Sequence, residues 1–232
     1  MELYDIETDS EVYRLGIHTA PEVKAASSNA MVSAVYKKGK KLLLDDKFAV
    51  LLGGEHTVTI GAIKAHAEYF HNISILHLDA HSDMRDTYEG SRYSHACVMA
   101  RAREVTDNIV SVGIRSMDSS ELDNMDRDNV FLASDIRKSK VWIRNVLKKL
   151  TKNVYITIDL DVFDPSIMPS TGTPEPGGLG WYEVLDLIEN VSGMKNIVGF
   201  DVVELCPSKN NVAPDFLTAK LIYKLLSFKF AK

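Results

Sequence analysis

The chain has 232 residues, 45% hydrophobic and 25% charged, with a formal net charge of −5, which are ordinary values for a globular protein. No run of Lys and Arg is long enough to predict a nucleic-acid surface, and no apolar run is long enough to predict a membrane span. The two cysteines form no CxxC pair, and the acidic N-terminus lacks the apolar core of a signal peptide. Together these features predict a soluble cytoplasmic protein without disulfides.

Predicted strands and helices alternate along most of the chain. A first helix is predicted over residues 21–46, where Ala, Ser, Val and Lys recur at helical spacing. Apolar runs then predict six strands: FAVLLGG, SILHLDA, DNIVSVGIR, NVFLASD, NVYITIDLD and NIVGFDVVEL. Further helices are predicted over TVTIGAIKAHAEYF, SRYSHACVMARARE, IRKSKVWIRNVLKKL, WYEVLDLIENV and APDFLTAKLIYKLLSFKF. This order predicts an α/β fold, a three-layer αβα sandwich with a mostly parallel sheet, and a single domain over residues 1–232.

Acidic side chains and a histidine follow two of the predicted strands at regular spacing. Asp79, His81 and Asp83 follow SILHL, and Asp159 and Asp161 follow VYITI. Side chains two residues apart in an extended segment point the same way, and ligand sites of parallel sheets lie outside the carboxyl ends of the strands. Unpaired carboxylates packed together would repel strongly. We therefore expect one or two divalent metal ions between them.

Two more candidate residues fall at strand ends. His56 follows the first predicted strand and Glu204 ends the last one, so four strand ends can converge on one crevice. Taken alone, the segment 79–83 is also compatible with a turn, because Asp and Ser are common in loops. Likewise, Glu204 taken alone is compatible with a residue that merely ends a strand. The second aspartate pair and His56 favour the metal site.

Four other residues are predicted to have structural roles. His77 lies within an apolar run and is expected in the core or behind a metal ligand. Asp164 precedes a proline and is expected to shape a turn. Cys97 and Cys206 are expected to be buried as small hydrophobic side chains.

Five motifs in order resemble those of the ureohydrolases, the family of arginases and agmatinases: GGEH, DAHSD, DLDVFDP, TGTPEPGG and DVVE. The resemblance runs from about residue 15 to the C-terminus, and the segment DMRDTYEGSRYSHACVMARA is most similar to archaeal-type agmatinases. It implies an arginase-like fold, although the family's usual opening strand is absent from this sequence. Glu55 stands where the family's first motif usually has Asp, and Ala96 follows His95 where many members have Gly.

The resemblance implies two Mn²⁺ ions per chain. The implied ligands are His56, Asp79, His81, Asp83, Asp159 and Asp161. Asp79 and Asp159 would bridge the ions, with His56 and Asp83 completing one ligand set and His81 and Asp161 the other. Independently of the resemblance, carboxylates and imidazoles without thiolates favour Mn²⁺ over a structural zinc.

The implied reaction is hydrolysis of a guanidino group to urea and an amine by a metal-bridging hydroxide. Glu204 matches the position that holds the guanidinium, whose forked donors suit a carboxylate. Asp83 would bond the hydroxide and pass on a proton. His95 matches the histidine that protonates the leaving amine, a role suited to a pKa near neutral pH. A plain helix-capping role for His95 is the alternative.

The resemblance favours agmatine as the substrate, with putrescine and urea as products. Asp86 and Glu89 are candidates for binding its amine. Arg85 occupies a position where arginases place Asn, and a carboxylate bound there would instead favour a guanidino acid. N1-aminopropylagmatine, arginine and guanidinobutyrate stay open as substrates.

Two other functional classes also stay open. One is a different amidine or amide hydrolase on the same fold, and the other is a metal-binding subunit that is inactive by itself. As partners, the sequence predicts a small guanidino substrate, no nucleic acid and no membrane. By family resemblance we expect a homo-oligomer, a trimer or a hexamer.

Overall fold

The computed structural model describes residues 1–231, and its centre is a parallel sheet of six strands in the order β1-β6-β5-β2-β3-β4. Every neighbouring pair of strands in it is parallel. The strands are β1 (Val50–Leu52), β2 (Ile73–Leu78), β3 (Ile109–Ile114), β4 (Val130–Leu132), β5 (Asn153–Asp159) and β6 (Asn196–Val203). All six were predicted from the apolar runs, and the α/β class is confirmed.

Helices cover both faces of this sheet. They are α1 (Ser28–Leu44), α2 (Val58–Tyr69), α3 (Val98–Ala102), α4 (Ala133–Ile136), α5 (Trp142–Lys149), α6 (Trp181–Met194) and α7 (Ala213–Phe230). Side chains of α1 to α3 pack against one face in one apolar cluster, and those of α4 to α7 pack against the other face in a second cluster. The three-layer prediction is therefore confirmed. Within residues 1–231, none of the helices has the length and apolar character to cross a membrane.

Three predicted helices are shorter than expected, and the one predicted over IRKSKVWIRNVLKKL begins only at Trp142 and ends at Lys149. Helix α1 begins at Ser28, and Ser27 caps it by accepting a 3.3 Å hydrogen bond from the Ala30 N–H. In the segment 91–104 only α3 is α-helical, and His95–Cys97 before it form a 3-10 helix. The N–H groups of Met99 and Ala100, in the first turn of α3, donate to the carbonyl of Asp83 at 3.0 and 3.2 Å. This contact fixes the start of α3 beside the end of β2.

The two cysteines differ in environment. Cys97 is buried, as predicted, whereas Cys206 is exposed, so its prediction was wrong. Cys206 follows the end of β6 in a loop, where its backbone N–H bonds the carbonyl of Ser170 and its side chain faces outward. The apolar run of β6 ends at Val203, and burial ends with it.

A buried ion pair joins the N-terminal segment to the last helix. Lys224 and Asp5 are both almost fully buried, with Nζ and Oδ1 3.0 Å apart, and Glu7 also contacts the ammonium. Tyr223 adds a hydrogen bond to the carbonyl of Leu3. Residues 3–7 are therefore held on α7 by polar contacts.

Lys224→Met is expected to lower the free energy of unfolding by about 3 kcal/mol, because it leaves the Asp5 carboxylate buried without its ammonium partner. Urea denaturation followed by circular dichroism measures this change. Lys220→Met, one turn earlier and partly exposed, is the matched control and should change stability by less than about 0.5 kcal/mol. Equal stability of the two variants would contradict a structural role for the pair.

Candidate metal centre

The carboxyl ends of the central strands bring the predicted ligands together. Strands β2 and β5 are neighbours, and Leu78 pairs with Ile158 at their ends. Asp79 and Asp159 follow at the same level, so their carboxylates face one crevice. His56 enters from the loop after β1, at the same edge of the sheet.

A first group of ligand atoms surrounds His56. Its Nδ1 atom lies 3.0 Å from Oδ2 of Asp83, 3.3 Å from Oδ2 of Asp79 and 3.6 Å from Oδ2 of Asp159. This nitrogen is buried and has no hydrogen-bond partner among residues 1–231. A buried imidazole nitrogen that faces three carboxylates suits coordination of a cation, which would bind both kinds of donor.

A second group lies on the other side of Asp79. His81 Nδ1 is 2.9 Å from Oδ2 of Asp161 and 3.6 Å from Oδ1 of Asp79. Asp79 thus turns Oδ1 toward His81 and Oδ2 toward His56. One carboxylate with an oxygen in each group has the arrangement of a bridging ligand.

Backbone N–H groups hold the carboxylates of this centre in place. The N–H of His81 donates to Asp79 Oδ1 at 2.6 Å, and the N–H of Asp161 donates to Asp159 Oδ1 at 2.9 Å. The N–H of Ala80 donates to Asp161 Oδ1 at 3.0 Å, which ties the ends of β2 and β5 to each other. The turns Asp79-Ala80-His81 and Asp159-Leu160-Asp161 therefore fix the carboxylates of Asp79 and Asp159 before any ligand binds.

Burial and neighbouring charges shift the pKa of several groups in this centre. Burial raises the pKa of Asp159 well above its usual value, and the carboxylates of Asp79 and Asp161 raise it further. Burial lowers the pKa of His81, but hydrogen bonds to Asp161 and Asp79 outweigh burial and raise it to about 10. Against the effect of burial, the neighbouring carboxylates of Asp79 and Asp83 raise the pKa of His56 well above 6.5. The electrostatic field at the centre thus favours positive charge, which a metal ion would supply.

A buried polar row runs across the sheet one side-chain layer beneath these carboxylates. It consists of Asp201, Thr157, His77 and Ser111, which are register partners on β6, β5, β2 and β3. His77 Nε2 is 2.8 Å from Oδ2 of Asp79, and His77 Nδ1 is 3.1 Å from the hydroxyl of Ser111. His77 therefore lies behind a candidate ligand, as predicted.

Thr157 and Asp201 were not singled out from the sequence. Both lie within apolar runs that predict buried strands, and a carboxylate in such a run must find hydrogen-bond donors. This requirement was the feature of the sequence that could have identified Asp201 and its hydrogen-bond donor. Asp164, in contrast, has the predicted turn role, because it accepts hydrogen bonds from the N–H groups of Ser166, Gly177 and Gly178.

Glu204 and His95 lie at the mouth of the centre. Glu204 has a positive φ of 64° and accepts a 2.6 Å hydrogen bond from the N–H of His56 through Oε1; burial raises its pKa. His95 is half exposed, and Glu55, 3.3 Å from its Nδ1, raises its pKa. The charges of Asp83 and Glu204 raise that pKa further, so the imidazole lies within their field.

Arg85 lies close to this mouth. The ring of Tyr88 lies between two of the groups predicted to handle substrate, with its centroid 5.2 Å from the Arg85 guanidinium and 5.3 Å from the His95 ring. Arg85 also approaches the carboxylate of Asp118 at 3.5 Å. Arg85 and His95 therefore both lie near the Tyr88 ring, and the role of Arg85 in substrate binding stays a prediction.

Asp86 and Glu89, the two acidic residues predicted to bind the amine of the substrate, differ in their surroundings. Asp86 Oδ1 is 2.6 Å from the guanidinium of buried Arg101, which already engages this carboxylate. Glu89 is exposed at the turn between Tyr88 and Ser91, with a positive φ of 49°. Their roles in substrate binding stay predictions.

Comparison with known proteins identifies the family. The model of the arginase family matches residues 1–227. The chain belongs to the arginase family. Members similar to it include the N(1)-aminopropylagmatine ureohydrolase of Synechocystis sp., 38% identical over 98% of this chain and 78% of the relative. The agmatinase of Pyrococcus horikoshii is 32% identical over 97% of this chain and 80% of the relative.

A solved structure supports the same assignment. The agmatine ureohydrolase of Thermoplasma volcanium superposes with a TM-score of 0.89 at 32% identity, covering 99% of this chain and 78% of that chain. The resemblance in the sequence motifs is therefore confirmed. The buried His and Asp groups of this arginase-family chain are suited to bind a metal ion.

Proposed function

We propose that this chain is a manganese-dependent ureohydrolase, which hydrolyses the guanidino group of a linear amine to urea and a shorter amine. The observation that carries the proposal is the position of Asp79, with one carboxylate oxygen in the group around His56 and the other in the group around His81. This arrangement supports two ions that share a ligand, as two-metal hydrolysis requires.

The proposed ligands are the side chains at the three strand ends: His56, Asp79, His81, Asp83, Asp159 and Asp161. Oxygen donors with two imidazoles and no thiolate favour Mn²⁺. Four carboxylates offset the charge of two divalent ions, so the site can accept a guanidinium cation. When bound, such a pair lowers the pKa of water and makes hydroxide available near neutral pH.

Residues at the mouth would bind and protonate the substrate. Glu204 holds the guanidinium through charge-assisted hydrogen bonds. As the oxygen of water bonds to the guanidinium carbon, Asp83 holds the released proton. The bond between the guanidinium carbon and the nitrogen that carries the alkyl chain then breaks, and His95 donates a proton to this departing nitrogen. The products are urea and the amine.

Two cationic substrates are favoured over guanidino acids. The sequence interpretation preferred agmatine, and the agmatinase of Pyrococcus horikoshii supports it. The relatives with 37–38% identity over 98–99% of this chain carry the name N(1)-aminopropylagmatine ureohydrolase, which supports the aminopropyl derivative as the second candidate. The two differ only in the length and charge of the tail beyond the guanidino group.

A urea-release assay with added Mn²⁺ tests the proposal. The substrates are agmatine, N1-aminopropylagmatine, arginine, guanidinobutyrate and guanidinopropionate. We expect turnover with one or both of the first two. Urea from none of the five, with Mn²⁺ still raising the melting temperature, would instead identify a metal-binding subunit without activity of its own.

His95→Ala is expected to lower kcat by about 100-fold, because the leaving amine loses its proton donor. Manganese content should stay unchanged, since His95 pairs with Glu55 and not with the ligand groups. Urea release and bound manganese are measured on the same samples, with exposed His18→Ala as the control. Loss of metal in His95→Ala would contradict this role.

We further propose one domain over residues 1–232, a cytoplasmic location and a homo-oligomer, a trimer or a hexamer. The small number of cysteines supports the location. Light scattering after size-exclusion chromatography measures the oligomeric state directly.

A further inference from the structure

A buried hydrogen-bond chain leads from Asp201 to the proposed ligand His56. The hydroxyl of Thr157 lies 2.6 Å from Oδ1 of Asp201 and 2.9 Å from Nε2 of His56. The hydroxyl of Tyr155 lies 2.7 Å from the other oxygen, Oδ2, of Asp201. All four side chains are at most 1% exposed, so water does not compete for these bonds.

The hydrogen atoms on these groups determine which group donates and which accepts in each hydrogen bond. A carboxylate only accepts, and each hydroxyl carries a single hydrogen. Tyr155 and Thr157 both donate to Asp201, so the Thr157 oxygen can only accept a hydrogen bond from His56. Nε2 of His56 must therefore carry the hydrogen, and in a neutral imidazole Nδ1 then presents its lone pair.

That lone pair belongs to the atom that faces the carboxylates of Asp79, Asp83 and Asp159. We propose that Asp201 and Thr157 are positioning residues, which hold His56 in the Nε2–H tautomer and so prepare Nδ1 to bind a metal ion. The inference rests on the proposed function, since it takes His56 as a ligand. It adds two residues that do not touch the ion or the substrate.

The location of Asp201 supports a role beyond packing. It is register partner of Thr157 in the middle of the sheet, and Leu51 flanks it on β1. Burying a carboxylate fully costs desolvation free energy, which an apolar side chain would avoid. The two hydroxyls that offset this cost are the same groups that orient His56. Partners behind a metal-binding histidine commonly fix its tautomer in this way.

Two substitutions break the hydrogen-bond chain between Asp201 and His56, and two matched substitutions preserve it. Thr157→Val removes the acceptor for His56 while keeping nearly the same shape. Asp201→Asn places an amide that can donate to Thr157, whose hydrogen is then free to point at His56 and to favour the wrong tautomer. Thr157→Ser keeps the hydroxyl. Tyr155→Phe also removes one hydrogen bond to Asp201 but leaves the connection to His56 intact.

Manganese titration of each metal-free protein, followed by the electron paramagnetic resonance signal of free Mn²⁺, measures the effect. Thr157→Val and Asp201→Asn should weaken one of two ions by about 10–100-fold and leave the other unchanged. Thr157→Ser and Tyr155→Phe should bind both ions within threefold of the unaltered protein. Melting temperatures in EDTA separate a loss of folding from a loss of metal affinity.

Two results would overturn the inference. The first is that Thr157→Val binds both ions with unaltered affinity. If Thr157→Val does not fold, the same result with Asp201→Asn would count. The second is that Tyr155→Phe weakens binding as much as Thr157→Val, which would indicate general damage to the core. Binding of two ions by the unaltered protein in these cases would leave the proposed function intact, whereas binding of none would overturn both.

Discussion

Asp79→Asn is expected to abolish measurable urea release and to weaken manganese binding in both ligand groups. Its two oxygens lie in different groups, one toward His56 and one toward His81. An amide removes the negative charge and replaces one oxygen donor with an NH₂ group that cannot bind a cation. A fall in kcat/KM of about 1000-fold or more, roughly 4 kcal/mol, is expected.

Metal content per chain and urea release are measured together in this variant. Asp186→Asn, on the exposed side of α6, makes the same chemical change away from the centre and should behave as the unaltered protein. A far-ultraviolet spectrum and a melting curve in EDTA establish that both variants fold. Retention of two ions and full activity by Asp79→Asn would contradict the shared-ligand geometry.

Glu204→Gln is expected to impair substrate binding and to leave the metal ions bound. Oε1 of Glu204 accepts a hydrogen bond from the N–H of His56, and a glutamine oxygen can keep that bond. What the variant loses is the negative charge that would hold the guanidinium. We expect a fall in kcat/KM of about 100-fold, or roughly 3 kcal/mol, chiefly through a higher KM.

The measurement pairs steady-state urea kinetics with a manganese titration. Exposed Glu189→Gln on α6 is the matched control. A Glu204→Gln protein that loses manganese as well would show that the carboxylate belongs to the metal site. Unchanged kinetics would remove Glu204 from the substrate site.

The strands and the residues at their ends were predictable from the sequence, because both follow from local patterns. Asp79 and Asp159 each close an apolar run, and parallel strands place such ends at one edge of the sheet. The spacing of two residues between neighbouring candidate ligands then predicted that their side chains point in the same direction. Family resemblance added His95, which no local pattern distinguishes from a helix cap.

Other features depend on partners that the sequence does not reveal. Arg115 donates to the carbonyls of Asp161 at 2.6 Å and of Glu175 at 2.8 Å, which ties two loops beside the centre. Thr157 and Asp201 acquire their roles only because β5 and β6 pair in one register. Such contacts are set by tertiary folding, so the residues are visible in the sequence but their partners are not.

Anomalous diffraction at the manganese edge, from crystals grown with Mn²⁺, tests the metal centre most directly. We expect two peaks per chain about 3.5–4 Å apart, one next to Nδ1 of His56 and one next to Nδ1 of His81, with Asp79 contacting both. A single peak, or peaks remote from these two nitrogens, would contradict the proposed chemistry.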